Sequence, residues 1–132
     1  MHGNQIQHYD LFHVGHLRLL QRAAALCDKL IVGVICDQWA EKHKRKPIIP
    51  LEQRMEIIRS LPFVAQVVPV YVDDKPREWE IYRFDKLFVG SDHQYELLWK
   101  EHEQRLFGKA EVVYLSYTQE TSTSKIREKL CL

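Results

Sequence analysis

Two histidines near the N-terminus have the type and spacing of a phosphate-binding pair. His13 and His16 lie three residues apart in the segment His13-Val14-Gly15-His16, where the first helix is expected to begin. Residues at this spacing point to one side of a helical turn, beside free backbone N–H groups and the positive end of the helix dipole. This combination is typical of an anion site, and Gly15 would let a phosphate approach the backbone closely. The alternative is a pair of surface histidines near a helix cap.

A hydroxyl-rich segment, Thr121-Ser122-Thr123-Ser124-Lys125, precedes the last apolar-periodic stretch of the chain. Ser122 or Thr123 is expected to cap the helix that follows, since hydroxyl oxygens accept hydrogen bonds from the first amides of a helix. Capping does not exclude phosphate binding, because the same free amides can serve both purposes.

A third candidate is the basic run Lys42-His43-Lys44-Arg45-Lys46, which is followed by Arg54 in the next predicted helix. Most charge runs of this kind are solvated loops, and that interpretation stays open for the run taken alone. Over the whole chain, 19 basic residues balance 18 acidic ones, so the net charge does not indicate a nucleic-acid-binding surface. Binding of a polyanion must therefore depend on local clusters.

The composition indicates one globular domain over residues 1–132. This length supports one hydrophobic core, and the apolar fraction of 45% fits a folded protein. No apolar run reaches the ~18 residues of a membrane span, and the N-terminus lacks the features of a signal peptide. The three cysteines form neither a disulfide nor a zinc pattern, so we expect reduced thiols in a cytoplasmic protein.

The elements that must position these groups alternate between helix and strand. Leu30–Ile35 is a continuous apolar run, which is typical of a strand buried on both faces of a parallel sheet. Helices are predicted over 14–27, 37–43, 51–60, from Asp74, 95–106 and 122–130, and strands over 30–35, 65–70, 86–89 and 111–115. The alternation predicts an α/β fold with a doubly wound parallel sheet, in which ligands bind at the carboxyl ends of the strands.

Together and in this order, the motifs resemble the cytidylyltransferase family within the HxGH nucleotidyltransferase superfamily. The matching segments are Asp10-Leu11-Phe12-His13-Val14-Gly15-His16, Glu52-Gln53-Arg54-Met55, Val89-Gly90-Ser91-Asp92 and Thr121-Ser122-Thr123-Ser124-Lys125-Ile126. The most similar branch is that of the glycerol-3-phosphate cytidylyltransferases. The resemblance implies a Rossmann-like nucleotidyltransferase fold and transfer of a cytidylyl group from CTP to a phosphorylated alcohol, with glycerol 3-phosphate as the expected acceptor and pyrophosphate as the leaving group.

The resemblance also implies roles for the candidate residues. His13 and His16 would donate to the triphosphate, while Lys44 or Lys46 and Arg54 would bind substrate phosphate or neutralise developing charge. The nucleotide would be contacted by Tyr9, Asp10, Gly15, Asp92, Ser122, Thr123 and Ser124. Mg²⁺ would shield the triphosphate, with Asp10 as a candidate ligand. A homodimer is implied, whereas a nucleic-acid or membrane partner is not.

The N-terminus departs from the family pattern. Gln7 stands where the family has a glycine, and only Ile6 is apolar between Asn4 and Tyr9. We therefore predict a first strand that is either poorly ordered or formed with Gln5 and Gln7 partly exposed or hydrogen-bonded. Two alternatives to a cytidylyltransferase stay open: an adenylyltransferase of the same superfamily, and a non-catalytic nucleotide-binding domain inactivated by the altered N-terminus.

Overall fold

The structure is a computed structural model that describes residues 2–7, 9–43, 45–91, 94–116 and 123–130. Five strands are present among these residues: β1 (His2–Gln7), β2 (Lys29–Ile35), β3 (Gln66–Val70), β4 (Lys86–Gly90) and β5 (Glu111–Leu115). Six helices alternate with them: α1 (Val14–Ala25), α2 (Asp37–His43), α3 (Leu51–Arg59), α4 (Lys75–Tyr82), α5 (Leu97–Leu106) and α6 (Thr123–Lys129). The predicted elements are found with shifts of up to two residues at their ends, the largest being the end of α1 at Ala25 and the start of α5 at Leu97.

The strands form one parallel sheet in the order β3-β2-β1-β4-β5. This confirms the predicted doubly wound α/β fold. The chain moves outwards from β1 to β3 and then crosses back to β4, so the strand order reverses between β1 and β4. In open sheets of this kind the crevice at the reversal point, beyond the carboxyl ends of the strands, is where ligands bind. The segment between β1 and α1 lies there.

β1 is formed and is central in the sheet. It pairs with β2 from His2 to Gln7 and with β4 from Gly3 to Gln5. The side-chain pattern did not indicate a buried strand, but hydrogen bonding to a strand on each side satisfies its backbone whatever the side chains are. A Cβ on Gly3 would lie 2.3 Å from Phe88 Cε2, so the glycine permits close packing. The side chains of Gln5 and Gln7 lie outside the described part, and their predicted environment stays a prediction.

Alternate residues of the strands pack on opposite faces of the sheet. Phe88 belongs to the apolar cluster that contains Leu19 of α1 and Ile58 of α3. Its neighbour Leu87 belongs to the cluster that contains Leu106 of α5. α1 and α3 therefore cover one face, and α4 and α5 the other. Among the described residues, no helix is both long and apolar enough to cross a membrane.

Candidate active site

The turn after β1 is strained and is held by one carboxylate. Tyr9 and Leu11, on either side of Asp10, have φ of 54° and 50°. This left-handed conformation costs a non-glycine residue about 1–3 kcal/mol. Asp10 accepts hydrogen bonds from the backbone N–H groups of Ile48 and Ile49, each at 2.9 Å. These bonds fix the turn against the segment that follows the basic run.

Asp10 stays ionised at neutral pH. Burial raises the pKa of this carboxyl, but hydrogen bonds from Ile48, Ile49 and Arg127 outweigh that effect, and the pKa lies below its usual value. With these donors on its oxygens, Asp10 serves to anchor neighbouring segments. Its predicted contact with Mg²⁺ stays a prediction. Within the described ranges, no group of three or more His, Cys, Asp or Glu could hold a metal ion.

The two histidines cap α1 with their ring nitrogens. His13 is the N-cap residue, and its Nδ1 accepts from the N–H of Gly15 at 3.0 Å. In return, Nδ1 of His16 accepts from the backbone N–H of His13 at 3.3 Å. This is a capping box built from two imidazoles, where a Ser or Thr and a Glu or Gln are usual. The rings stack with their centroids 3.9 Å apart.

The capping bonds fix the tautomer of both histidines. A ring nitrogen that accepts a hydrogen bond carries no proton, so in each neutral ring the proton is on Nε2. Burial lowers the pKa of His13, and burial also lowers the pKa of His16, to about 3. Both rings are therefore neutral at pH 7. The stacked pair thus carries two Nε2–H groups that can donate to an acceptor such as a phosphate oxygen.

Aromatic side chains hold the His16 ring in place. The centroid of Tyr9 lies 5.3 Å from that of His16, edge-on, and the centroid of Phe12 lies 5.4 Å away. Tyr9 was predicted to contact the nucleotide, but it is 1% exposed in the main core cluster. Its role in this structure is to support the ring of His16.

One ring atom of the pair is left without a partner. Nε2 of His13 is buried and makes no hydrogen bond to the described residues. An unsatisfied buried donor costs about 1–3 kcal/mol. Such an atom indicates a place where a ligand supplies the acceptor, and it lies at the reversal point of the sheet.

Arg54 lies in the predicted helix, but its guanidinium points into the protein. It is 0% exposed, and its guanidinium donates to the carbonyls of Ile35 and Ile49, both at 2.8 Å, and to the carboxylate of Asp37. These contacts favour a structural role for Arg54, and its predicted contact with substrate phosphate stays a prediction. Its physical role is to join the ends of β2 and of the loop before α3 through one buried charge, paired with Asp37.

The basic run divides between a helix and a loop. Lys42 and His43 end α2, and Lys44 lies outside the described residues. Arg45 and Lys46 are exposed, but the carbonyl of Lys46 accepts from Nη2 of Arg127 at 3.1 Å. The backbone of Lys46 is thus anchored while its ammonium remains at the surface, as a phosphate-binding lysine requires.

The hydroxyl-rich segment is only partly described. α6 begins at Thr123 and Ser124, in agreement with a helix start there, but the description covers only the backbone of these two residues. Ser122 and Asp92 lie outside the described residues, so their predicted nucleotide contacts stay predictions. The sequence reasoning missed Arg127, which brings α6 to Asp10 at 2.9 Å. No local sequence pattern points to a contact across this separation.

Comparison with known proteins decides the family. The sequence profile described as cytidylyltransferase-like matches residues 8–129. The chain belongs to this family. This confirms the resemblance, and the matched span starts just after β1 and ends with α6. The nucleotide-binding role of the His13 and His16 turn stays a prediction.

Relatives of this cytidylyltransferase-like chain carry different names. A glycerol-3-phosphate cytidylyltransferase of Staphylococcus aureus is 33% identical over 123 residues, covering 92% of this chain and 89% of the relative. An FAD synthase of Ferroglobus placidus is 32% identical over 126 residues, covering 92% of this chain and 82% of the relative. A solved structure described as a lipopolysaccharide core biosynthesis protein from Thermoplasma volcanium matches with a TM-score of 0.78 at 21% identity, over 89% of this chain and 98% of that one. The last likeness shows the fold.

Proposed function

We propose that this chain is a nucleotidyltransferase that transfers a cytidylyl group from CTP to glycerol 3-phosphate. A phosphate oxygen of the acceptor attacks the α-phosphorus of the triphosphate in line, the bond to the bridging oxygen of the β-phosphate breaks, and pyrophosphate leaves. The observation that carries the proposal is the imidazole capping box, which leaves the proton of each neutral ring on Nε2 and leaves Nε2 of His13 without an acceptor among the described residues.

The neutral state of the histidines suits this reaction. A phosphate monoester has a second pKa near 6, so at pH 7 the acceptor is mostly a dianion and attacks without a general base. Charge then builds up on the α-phosphoryl oxygens, and fixed donors stabilise it in the transition state. With its pKa lowered to about 3, His16 serves as such a donor without taking up a proton from the reaction.

The remaining charge is met by cations. Lys46 neutralises phosphate charge from an anchored loop. Lys44, two residues earlier in the sequence, is assigned the same role. Thr123 and Ser124, with Ser122 before them, bind the outgoing β- and γ-phosphates. Mg²⁺ arrives with the triphosphate as part of the substrate, because Mg²⁺ keeps most of its ligands as water and phosphate oxygens.

Two further features of the proposal follow from the resemblance. The chain acts in the cytoplasm, where its triphosphate substrate is found. It acts as a homodimer, as the resemblance implies. Large apolar side chains at the surface near the start of α5 support a protein interface, namely Tyr95 at 83%, Leu97 at 81% and Leu98 at 57% exposure. Light scattering on purified protein measures the assembly, and a monomer mass at working concentration contradicts this part of the proposal.

A second candidate function is adenylyl transfer to FMN. The observation in its favour is the FAD synthase of Ferroglobus placidus, whose identity of 32% is close to that of the cytidylyltransferase of Staphylococcus aureus at 33%. The two functions share the triphosphate chemistry and differ in the base and in the acceptor.

A substrate panel separates the candidates. Purified protein is mixed with Mg²⁺, with CTP or ATP, and with glycerol 3-phosphate or FMN, and pyrophosphate is measured together with the nucleotide product. Pyrophosphate and CDP-glycerol from CTP and glycerol 3-phosphate support the proposal. FAD from ATP and FMN selects the second candidate. Pyrophosphate from no pair, with protein that is folded by circular dichroism, contradicts both and leaves a non-catalytic nucleotide-binding domain.

A further inference from the structure

We infer that Arg127 is a positioning residue for nucleotidyl transfer, which sets α6 against both the Asp10 turn and the basic loop. The inference rests on the proposed function, because that function assigns these three segments to one site. Arg127 follows the hydroxyl-rich motif and belongs to none of the motifs that the sequence indicated. Its partners lie 117 and 81 residues away in the chain.

A single guanidinium nitrogen makes both contacts. Nη2 of Arg127 donates to Oδ2 of Asp10 at 2.9 Å and to the carbonyl of Lys46 at 3.1 Å. The Arg127 and Asp10 side chains are 11% and 6% exposed. Hydrogen bonds between ionised groups are roughly twice as strong as neutral ones. The contact therefore sets the distance between α6, the strained turn and the backbone of the basic loop.

Apolar packing contributes little to the position of α6. No described residue of this helix belongs to the three buried apolar clusters of the fold. The helix has 7 residues, and a helix of that length is not stable by itself in water. Ile126 is half-buried. The direction of α6 thus depends strongly on Arg127.

The contact is not arranged for maximum stability. Nε of Arg127 is buried and has no hydrogen-bond partner among the described residues. Burial of an arginine with an unpaired donor opposes folding, and a well-packed apolar side chain at such a place is often as stable or more so. An arrangement of this kind is expected where geometry at a functional site matters more than stability.

The position of the contact shows what it would align. Arg127 is four residues after Thr123 and three after Ser124, so it lies one helical turn from the residues proposed to hold the outgoing phosphates. At the other end, Asp10 is three residues before His13. A shift of α6 would move the phosphate-holding residues relative to the histidines, and a misplacement of 1 Å can lower a rate by about 10²-fold.

The kinetic test uses three variants of the full chain. In Arg127→Met, kcat/KM for the triphosphate is expected to fall by about 10–100-fold at a temperature where the variant is fully folded. Arg127→Lys is expected to recover part of the loss, because an ammonium can reach one of the two acceptors. Lys129→Met, an exposed cation on the same helix, is the control and should match the wild type. A lower melting temperature in Arg127→Met with unchanged kcat/KM overturns the inference.

Amide hydrogen exchange tests the same point without catalysis. The N–H groups of Ile48 and Ile49 donate to Asp10, whose Oδ2 is shared with Arg127. Their exchange should be faster in Arg127→Met than in Lys129→Met, and Arg127→Lys should lie between. A wild type that transfers no nucleotide in any substrate pair refutes the proposed function, and the amide exchange then decides the inference alone. Equal exchange in all variants overturns it.

Discussion

Replacing Arg54 by Met separates a structural role from phosphate binding. The guanidinium is 0% exposed and donates to two carbonyls and one carboxylate. Methionine fills much of the volume and leaves these three acceptors without their donor. Each unsatisfied buried carbonyl costs about 1–3 kcal/mol, and breaking a buried ion pair by removal of one partner costs about 3–5 kcal/mol in total. Asp37 is 34% exposed on its side chain and can recruit water, so we expect the lower end, about 3 kcal/mol.

This loss corresponds to a fall in melting temperature on the order of 10 °C for a domain of this size. It is measured by calorimetry and by urea unfolding. Arg59→Met, at an exposed position on the same helix, is the matched control and should stay within about 0.5 kcal/mol of the wild type. If Arg54→Met keeps its melting temperature and instead shows a many-fold higher KM for a phosphate substrate, the guanidinium binds phosphate and the reasoning from burial is refuted.

Three further predictions concern the histidines, the basic loop and a buried acid. His13→Ala and His16→Ala should each lower kcat by about 10²–10³-fold in the pyrophosphate assay. His16→Ala should also be less stable than the wild type, because the ring of His16 is buried. Wild-type rates in either variant refute the donor role. Lys46→Ala should raise the KM for a phosphate substrate about tenfold, the energy of one charge-assisted hydrogen bond, and should leave the melting temperature unchanged because the side chain is exposed. Arg45→Ala is the comparison, and equal KM values for the two variants exclude a phosphate contact by Lys46. Burial raises the pKa of Glu78 to about 7 from 4.5, so its contribution to stability falls as pH rises from about 4.5 to 7. Urea unfolding midpoints measured at pH 5 and pH 8 should show that Glu78→Gln is more stable than the wild type at pH 8. The same pH dependence of the midpoint in both proteins contradicts this.

The helices and outer strands could be predicted because their signals are local. The run Leu30–Ile35 and the helical spacing before it need no knowledge of distant residues. β1 was harder, since its polar side chains oppose burial. It is central because β2 and β4 supply hydrogen bonds on both sides, and pairing between strands is not encoded in the strand alone.

The site could be predicted in outline but not in its contacts. The motif of His13 and His16 indicated an anion site at a helix start, and the structure confirms the helix start, with His13 as the N-cap residue. The ring of His13 caps the amide of Gly15, and the ring of His16 caps the amide of His13. This arrangement depends on the extended backbone of His13, which composition does not give. The partners of Arg54 come from the end of β2, and those of Arg127 from the other end of the chain. Local sequence patterns therefore could not predict the partners of either arginine.

The central claim is that both histidines are neutral Nε2–H donors to the triphosphate. It is tested most directly by ¹⁵N NMR of histidine-labelled protein at pH 7, with the two rings assigned by single substitution, before and after addition of Mg²⁺ and a non-hydrolysable CTP analogue. We predict a protonated Nε2 and an unprotonated Nδ1 in both rings, as their bonds to Gly15 and His13 require, and a shift of both Nε2 signals on binding. An imidazolium, an Nδ1–H tautomer, or two rings that do not respond to a saturating analogue would contradict the claim.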